Sequence, residues 1–323
     1  MNYIKHIVLL FTATISLLSC SDSNTVDVSA INVDTKLVRF DSLFYNIKNI
    51  DELSSLKDVY PLMFPEVTTD SVWMEKVNSS DEQEVYKKSV KIFGDFTRQY
   101  SEIVDVFKHV KYYYPEFEAP DVFTILSDFD YQYPVLYTPD RLFVSLDMYL
   151  GADEEEYKMF PMYLVKNMVK ERVKVDVANA ISRNIVAVDK YDRTLLSQMI
   201  YNGKLLYLSQ KLIPSASDSL LIGYTKEEIE WCNKNQSDIW GYMVKNKLIY
   251  SSDERLLPRF INVAPFSKFY LELDQQSPGR VGVWLGWQIV KSYMDNNDVS
   301  LIELMSDKDA KGIFIKSRYK PSK

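Results

Sequence analysis

Apolar residues recur at helical spacing through residues 80–110, at Val85, Ile92, Phe93, Phe96, Ile103, Val106, Phe107 and Val110. The pattern predicts a helix with Ser80 as its N-cap and Pro115 as its stop. The texture then changes. The segments DVFTILSDF, YPVLYT and RLFVSLDMYLG, within residues 121–151, are short, rich in β-branched and aromatic residues, and broken by Pro134, Pro139 and Asp140. They predict two or three strands of a small antiparallel sheet, with TKLVRF (35–40) as an earlier strand. From Tyr157 onward the helical period returns, and helices are predicted over 161–188, 192–213, 225–233, 237–247, 277–296 and 306–316. Helices before and after a small sheet predict a mostly helical α+β fold around one core. No interior Pro/Gly/Ser run is long enough to separate domains, so a single domain is expected over residues 35–323.

The first twenty residues, MNYIKHIVLLFTATISLLSC, follow another logic. Lys5 and His6 precede an apolar run over 7–18, well short of the roughly 20 residues that span a bilayer. Residues 1–19 therefore read as a signal peptide. Its end, Leu17-Leu18-Ser19-Cys20, resembles a bacterial lipobox, which implies cleavage before Cys20 and a lipid on its sulfur; an ordinary secretory signal is the alternative. Two or more acyl chains would make that anchor stable. Cys20 and the small, polar stretch SDSNTVDVSAINVD then form a lipidated tether over residues 20–34. No later segment is long and apolar enough to cross a membrane.

Charge and composition narrow the chemistry. With 45 acidic and 38 basic residues, the net charge of −7 argues against a nucleic-acid partner. Once the signal is removed Cys232 is the only cysteine besides the lipidated Cys20, which excludes an intramolecular disulfide. A zinc peptidase needs two histidines four apart on one helix with a glutamate as base. The chain has only His6, within the signal, and His109, near the end of a predicted helix. No metal and no cofactor are expected, although a carboxylate-only magnesium or calcium site stays open without any EF-hand-like spacing. A serine nucleophile lacks both its G-x-S-x-G elbow and a histidine base. Cys232 lies in EEIEWCNKN, where acidic neighbours raise a thiol pKa, and reads as a packed thiol. A carboxylate pair acting on glycosidic bonds stays open, because so many acids will place some pair close together. DEEEY (153–157) reads as a solvated helix start, and the tyrosines, 23 in all, could in part form a glycan or peptide platform.

SPGRVGVWLGW (277–287) holds three of the nine glycines. Glycine costs a helix about 0.5–1 kcal/mol per position relative to alanine. On a helix capped by Ser277 with Pro278 in first position, Gly279, Gly282, Gly286 and Val290 share one stripe, which predicts close approach of another backbone. Arg280, Trp284, Trp287 and Lys291 share the neighbouring stripe, a basic and aromatic face suited to cation–π contact and a candidate interaction surface. One of the two tryptophans is expected in the core and the other accessible beside Arg280, with Glu272 or Asp274 as the arginine's partner.

APFSKFYLELDQQSPGRVGVWLGWQIVKSYM (264–294), MIYNGKLLYL (199–208), EWCNKNQSDIW (230–240) and the closing SRYKP (317–321) resemble GldB, the gliding-motility lipoprotein family of Bacteroidota. The resemblance implies a lipid-anchored envelope protein required for gliding, associated with type IX secretion and with protein partners in that apparatus, its domain on the periplasmic side. That family is also distantly similar to predicted zinc-dependent peptidases, in which one helix carries H-E-x-x-H, a later one Glu-Gly, and a glycine-containing helix follows. Here the later position reads Asn202-Gly203 and the first helix has no histidine. The resemblance thus implies a degenerate zincin-like fold without its metal, a non-enzymatic pseudoenzyme. The alternatives are an envelope hydrolase using carboxylates and a glycan- or peptide-binding module.

Overall fold

A computed structural model describes residues 26–272 and 274–321. The signal peptide, Cys20 and the start of the tether lie outside the described residues. Within the expected tether, Val28 is already buried and Val33 packs on the main core, so the chain meets the folded body before residue 35.

The chain opens with strand β1 (Leu37–Val38) and helices α1 (Phe40–Tyr45), α2 (Ile50–Val59), α3 (Asp70–Asn78), α4 (Ser80–Phe93) and α5 (Thr97–Tyr113). The helix expected over 80–110 is two helices, with Ser79 rather than Ser80 as N-cap. Gly94, at φ 57°, ends α4, and Phe96, at φ 65°, opens α5 in the left-handed region. Phe96 tolerates that backbone because its ring is fully buried, 5.7 Å from Phe93.

Strands β2 (Asp121–Ile125), β3 (Val135–Tyr137) and β4 (Arg141–Ser145) complete a four-stranded sheet in the order β1-β2-β4-β3. The expected antiparallel sheet is mixed: β1 with β2 and β2 with β4 are parallel, and only the β3–β4 hairpin is antiparallel. The physical reason is the connection over 126–134, which carries β3 to the outer edge so that its hairpin return seats β4 against β2. The sheet divides two cores. Val122, Leu142 and Val144 face the larger one, while Phe123, Ile125 and Phe143 pack with Phe40, Phe44, Leu53 and Phe64 of the N-terminal helices.

After the sheet come α6 (Met162–Val165), α7 (Val173–Ile185), α8 (Leu195–Leu212), α9 (Asp218–Ile222), α10 (Lys226–Lys234), α11 (Gln236–Lys245), α12 (Leu257–Phe260), α13 (Val281–Asn296), α14 (Leu301–Ser306) and α15 (Ala310–Ser317). The helix expected over 161–188 breaks at Asn167–Val169, where Val169 bridges Leu150 and the Met168 carbonyl accepts from the Gly151 N–H. α8 lies at the centre, most of its residues buried, between α7, α13 and α15. No described helix is long and apolar enough to cross a membrane.

α13 begins later than its sequence indicates. Ser277 and Pro278 precede it, Arg280 takes a left-handed conformation at φ 62°, and the Val281 N–H is capped by Ser267 Oγ at 3.1 Å. Gly279 lies in the turn before the helix, where an added Cβ would sit 2.0 Å from the Ala264 carbonyl oxygen. At Gly282 a Cβ would be 2.9 Å from the Phe260 carbonyl oxygen, and at Gly286 1.9 Å from that of Met199 on α8. Gly203 of α8 faces the same crossing, its Cβ position 2.4 Å from the Gly286 carbonyl. The stripe meets three different backbone segments.

Candidate functional site

The Arg/Trp stripe is not a surface. Trp284 and Trp287 are 2% and 0% exposed, because α13 is enclosed by α8 on one side and by α11, α12 and α15 on others. The expectation of one accessible tryptophan is therefore corrected. Lys291 closes over Trp287, its Nζ 3.7 Å from the ring centroid and 2.8 Å from Asp218 Oδ2. Arg280 pairs with neither Glu272 nor Asp274. Asp274 instead accepts from the backbone N–H groups of Phe269, Tyr270 and Leu271. The left-handed turn at residue 280 sends the guanidinium inward, where it donates to the Ile222 carbonyl at 3.3 Å.

There it lines a cavity of about 430 Å³ between β3, α6, α7 and the end of α9. The helix break at Asn167–Val169 sets up the opposite wall. It places Arg172 at the start of α7, 9% exposed, with one guanidinium nitrogen donating to the Leu220 carbonyl and another to Asp176 Oδ1 at 2.5 Å. The second Asp176 oxygen accepts from the Tyr149 hydroxyl at 3.0 Å. Arg172 Nε is buried with no partner. Asn179 and Arg183 continue the same wall, and Arg183 stands exposed at the rim with no ion pair or hydrogen bond among the described residues. Tyr131, Tyr133, Tyr163 and Val263 complete the mouth.

The electrostatics follow from this inventory. Three guanidinium groups and one carboxylate line the cavity, in a chain that is acidic overall. Burial holds the Arg280 pKa below its usual range, and Arg172 and Arg183 repel it further, against opposing contributions from Tyr224 and Asp176. A half-buried cation without an ion pair of its own, on a left-handed non-glycine backbone, is costly twice over. Such costs concentrate at functional sites.

A second cavity, of about 350 Å³, is acidic, lined by Asp81, Glu82, Glu84, Asp128, Asp147 and Glu156. Most of these groups are occupied. Lys76 pairs with Glu82 at 2.6 Å and with Asp128, and Lys88 with Glu156 at 2.6 Å, Glu154 at 2.8 Å and Glu84 at 3.4 Å. Glu154 and Glu156 of the DEEEY run are thus paired, not a freely solvated helix start. Asp147 accepts from the Ser127 and Phe129 N–H groups at 2.9 and 2.7 Å and from the Ser127 hydroxyl. It holds the loop in which Asp128 and Phe129 are both left-handed. Burial nonetheless raises its pKa to about 6, outweighing those hydrogen bonds.

Other candidates of the sequence are internal. His109 is buried on α5, its Nδ1 2.8 Å from the Asp105 carbonyl oxygen. Cys232 is buried, and burial, followed by Glu228, pushes its thiol pKa well up. Asn202 hydrogen-bonds back along α8 to the Gln198 carbonyl and does not line the cationic cavity. Among the described residues no group of three or more His, Cys, Asp or Glu side chains is arranged to hold a metal. Sequence reasoning missed Arg172, Asp176, Asn179 and Arg183, although a signal was present. Their spacing of four, three and four puts them on one face of α7, while Val173, Val177, Ala178 and Ile181 are buried.

Residues 21–321 match the family described as gliding motility protein GldB. No curated protein matches the chain, and no solved structure does.

Proposed function

The chain belongs to the gliding motility protein GldB family, and from that premise we propose that it is a lipid-anchored envelope component of the gliding apparatus that acts by binding, not by hydrolysis. In this reading Cys20 carries the lipid, the folded body stands on the periplasmic side, and the protein works alongside a type IX secretion system.

The observation that carries the binding role is the cationic cavity. Its single carboxylate, Asp176, has both oxygens engaged by Arg172 and Tyr149, so it is a poor general base or nucleophile. What it presents instead is hydrogen-bond donors and positive charge within aromatic walls, the composition of a recognition site. The acidic cavity favours catalysis less, because most of its carboxylates are tied to Lys76, Lys88 and the backbone of the 127–129 loop.

Exchange of single residues in gliding cells tests both halves. Cys20→Ala should abolish metabolic labelling with palmitate and stop gliding. Arg183→Gln, at an exposed position, should leave abundance unchanged and impair gliding. Unaltered palmitate labelling rejects the anchor, and normal gliding in cells carrying both Arg183→Gln and Arg280→Gln rejects the cavity as the working site.

A further inference from the structure

We infer that the cationic cavity captures the free C-terminal carboxylate of an extended peptide, an inference that rests on the binding role proposed above. Of the three arginines, Arg172 is already neutralised by Asp176. Arg183 stands at the rim in water. Arg280, half-buried in the cavity wall, has no ion pair of its own and is tied only to the Ile222 carbonyl by a 3.3 Å bond. One half-buried guanidinium without an ion pair calls for a monoanion, and a carboxylate satisfies its planar fork with two parallel hydrogen bonds. A phosphate dianion would have to lie near Asp176 with only the hydrated Arg183 as its second cation.

The peptide follows from what adjoins the cavity. Pro134 and Val135 line it, and Val135 is the first residue of β3. β3 is an outer strand of the sheet, hydrogen-bonded to β4 alone. Leu136 is 48% exposed on it, and Tyr131 and Tyr133 stand exposed at the mouth. An extended chain laid along this edge gains main-chain hydrogen bonds and directs its end toward Arg280, while the tyrosines cover its last side chains. The two parts are complementary: the edge confers affinity for extended backbone of any sequence, and the arginine selects for a terminus.

The test uses full-length protein in detergent, immobilised, with three probes: a random hexapeptide library with free C-termini, the same library C-terminally amidated, and excess inorganic phosphate. Free-acid peptides should be retained, with retention falling roughly 10- to 100-fold on amidation, the effect of losing a charge-assisted hydrogen-bond pair. Arg280→Gln should cause a similar loss and Arg183→Gln a smaller one. Should Arg280→Gln fail to fold, the amide comparison on unaltered protein and Arg183→Gln decide. Equal retention of acid and amide, retention of neither, or phosphate binding in place of peptide would each overturn the inference. None of these results would restore or remove palmitate on Cys20 or gliding itself, so failure here is distinguishable from failure of the binding role in cells.

Discussion

Gly286→Ala adds one methyl group where α13 crosses α8. That carbon would lie 1.9 Å from the Met199 carbonyl oxygen and 2.4 Å from its carbon, whereas non-bonded carbons rest about 3.5–4.0 Å apart. The obstacle is backbone, so no side chain can swing aside, and the helices must separate by on the order of 1 Å. Overpacking of this kind costs about 1–3 kcal/mol. Separation also loosens the contacts around Trp284 and Trp287, which places this site toward the upper end. Alanine returns about 0.5–1 kcal/mol of helix propensity, leaving a net loss of about 2 kcal/mol. At roughly 2–4 °C per kcal/mol for a chain somewhat shorter than this one, the melting temperature should fall by several degrees. Gly241→Ala is the control. Gly241 is exposed in α11 and a Cβ there meets nothing within 4 Å, so the same methyl should stabilise by about 0.5–1 kcal/mol. Adding Gly203→Ala to Gly286→Ala should cost less than the two separately, since the first substitution already parts the helices. Urea titration followed by tryptophan fluorescence reads the wild type and all four variants. If Gly286→Ala and Gly241→Ala move stability in the same direction, the close-crossing argument is wrong.

Three further outcomes are expected. Trp284→Ala and Trp287→Ala should each destabilise by about 3–5 kcal/mol, as for aromatic truncations in a packed core; wild-type melting of either variant contradicts its burial. The Asp147 pKa, raised from 3.8 to about 6, makes the folded state the stronger proton binder. Its stabilising contribution is present below about pH 4 and lost as pH rises through 6, by about 3 kcal/mol at 1.36 kcal/mol per unit. Unfolding free energies of wild type and Asp147→Asn should therefore diverge with this sign between pH 4 and 7, and a constant difference refutes it. The purified full-length protein should bind no stoichiometric zinc, and a chelator should leave its melting temperature unchanged; one zinc per chain by elemental analysis would show otherwise.

Periodicity made most helices legible, because amphipathic stripes such as that of α5 bury Ile103, Val106, Phe107 and Val110 together. It could not locate the breaks at Gly94–Phe96 and Asn167–Val169, where left-handed backbone and a tertiary bridge override a continuous helical pattern. The same limit hid the site. Projection of α13 distinguishes two stripes but not which is covered, and on a helix whose residues 281–287 are all buried both are. Arg280 was legible as unusual, yet its direction depends on a left-handed turn beside the close approach of Gly279 to Ala264. The polar face of α7 was readable in principle. Its meaning required the far wall, which comes from segments as separate in the chain as Tyr131–Val135 and Arg280.

If the N-terminus is the anchored end, any pull between membrane and body loads the contacts of Val28 and Val33 first and then residues 35–38. That segment is stitched to the sheet by Thr35 Oγ1 donating to the Pro120 carbonyl at 2.6 Å, the Lys36 N–H to Asp121 Oδ1 at 2.9 Å, and the Val122 N–H to the Lys36 carbonyl at 2.8 Å. Tyr100 adds a hydroxyl bond to the Thr35 carbonyl at 2.7 Å. Tension along the strand would load these bonds simultaneously in shear, whereas tension across it would open them in succession. Once they yield, force passes to α1 and the smaller core around Phe40 and Phe44, on the far side of the sheet from α8 and α13. The N-terminal lobe would then give way as a mechanical fuse, leaving the cationic cavity and the helices behind it assembled under load.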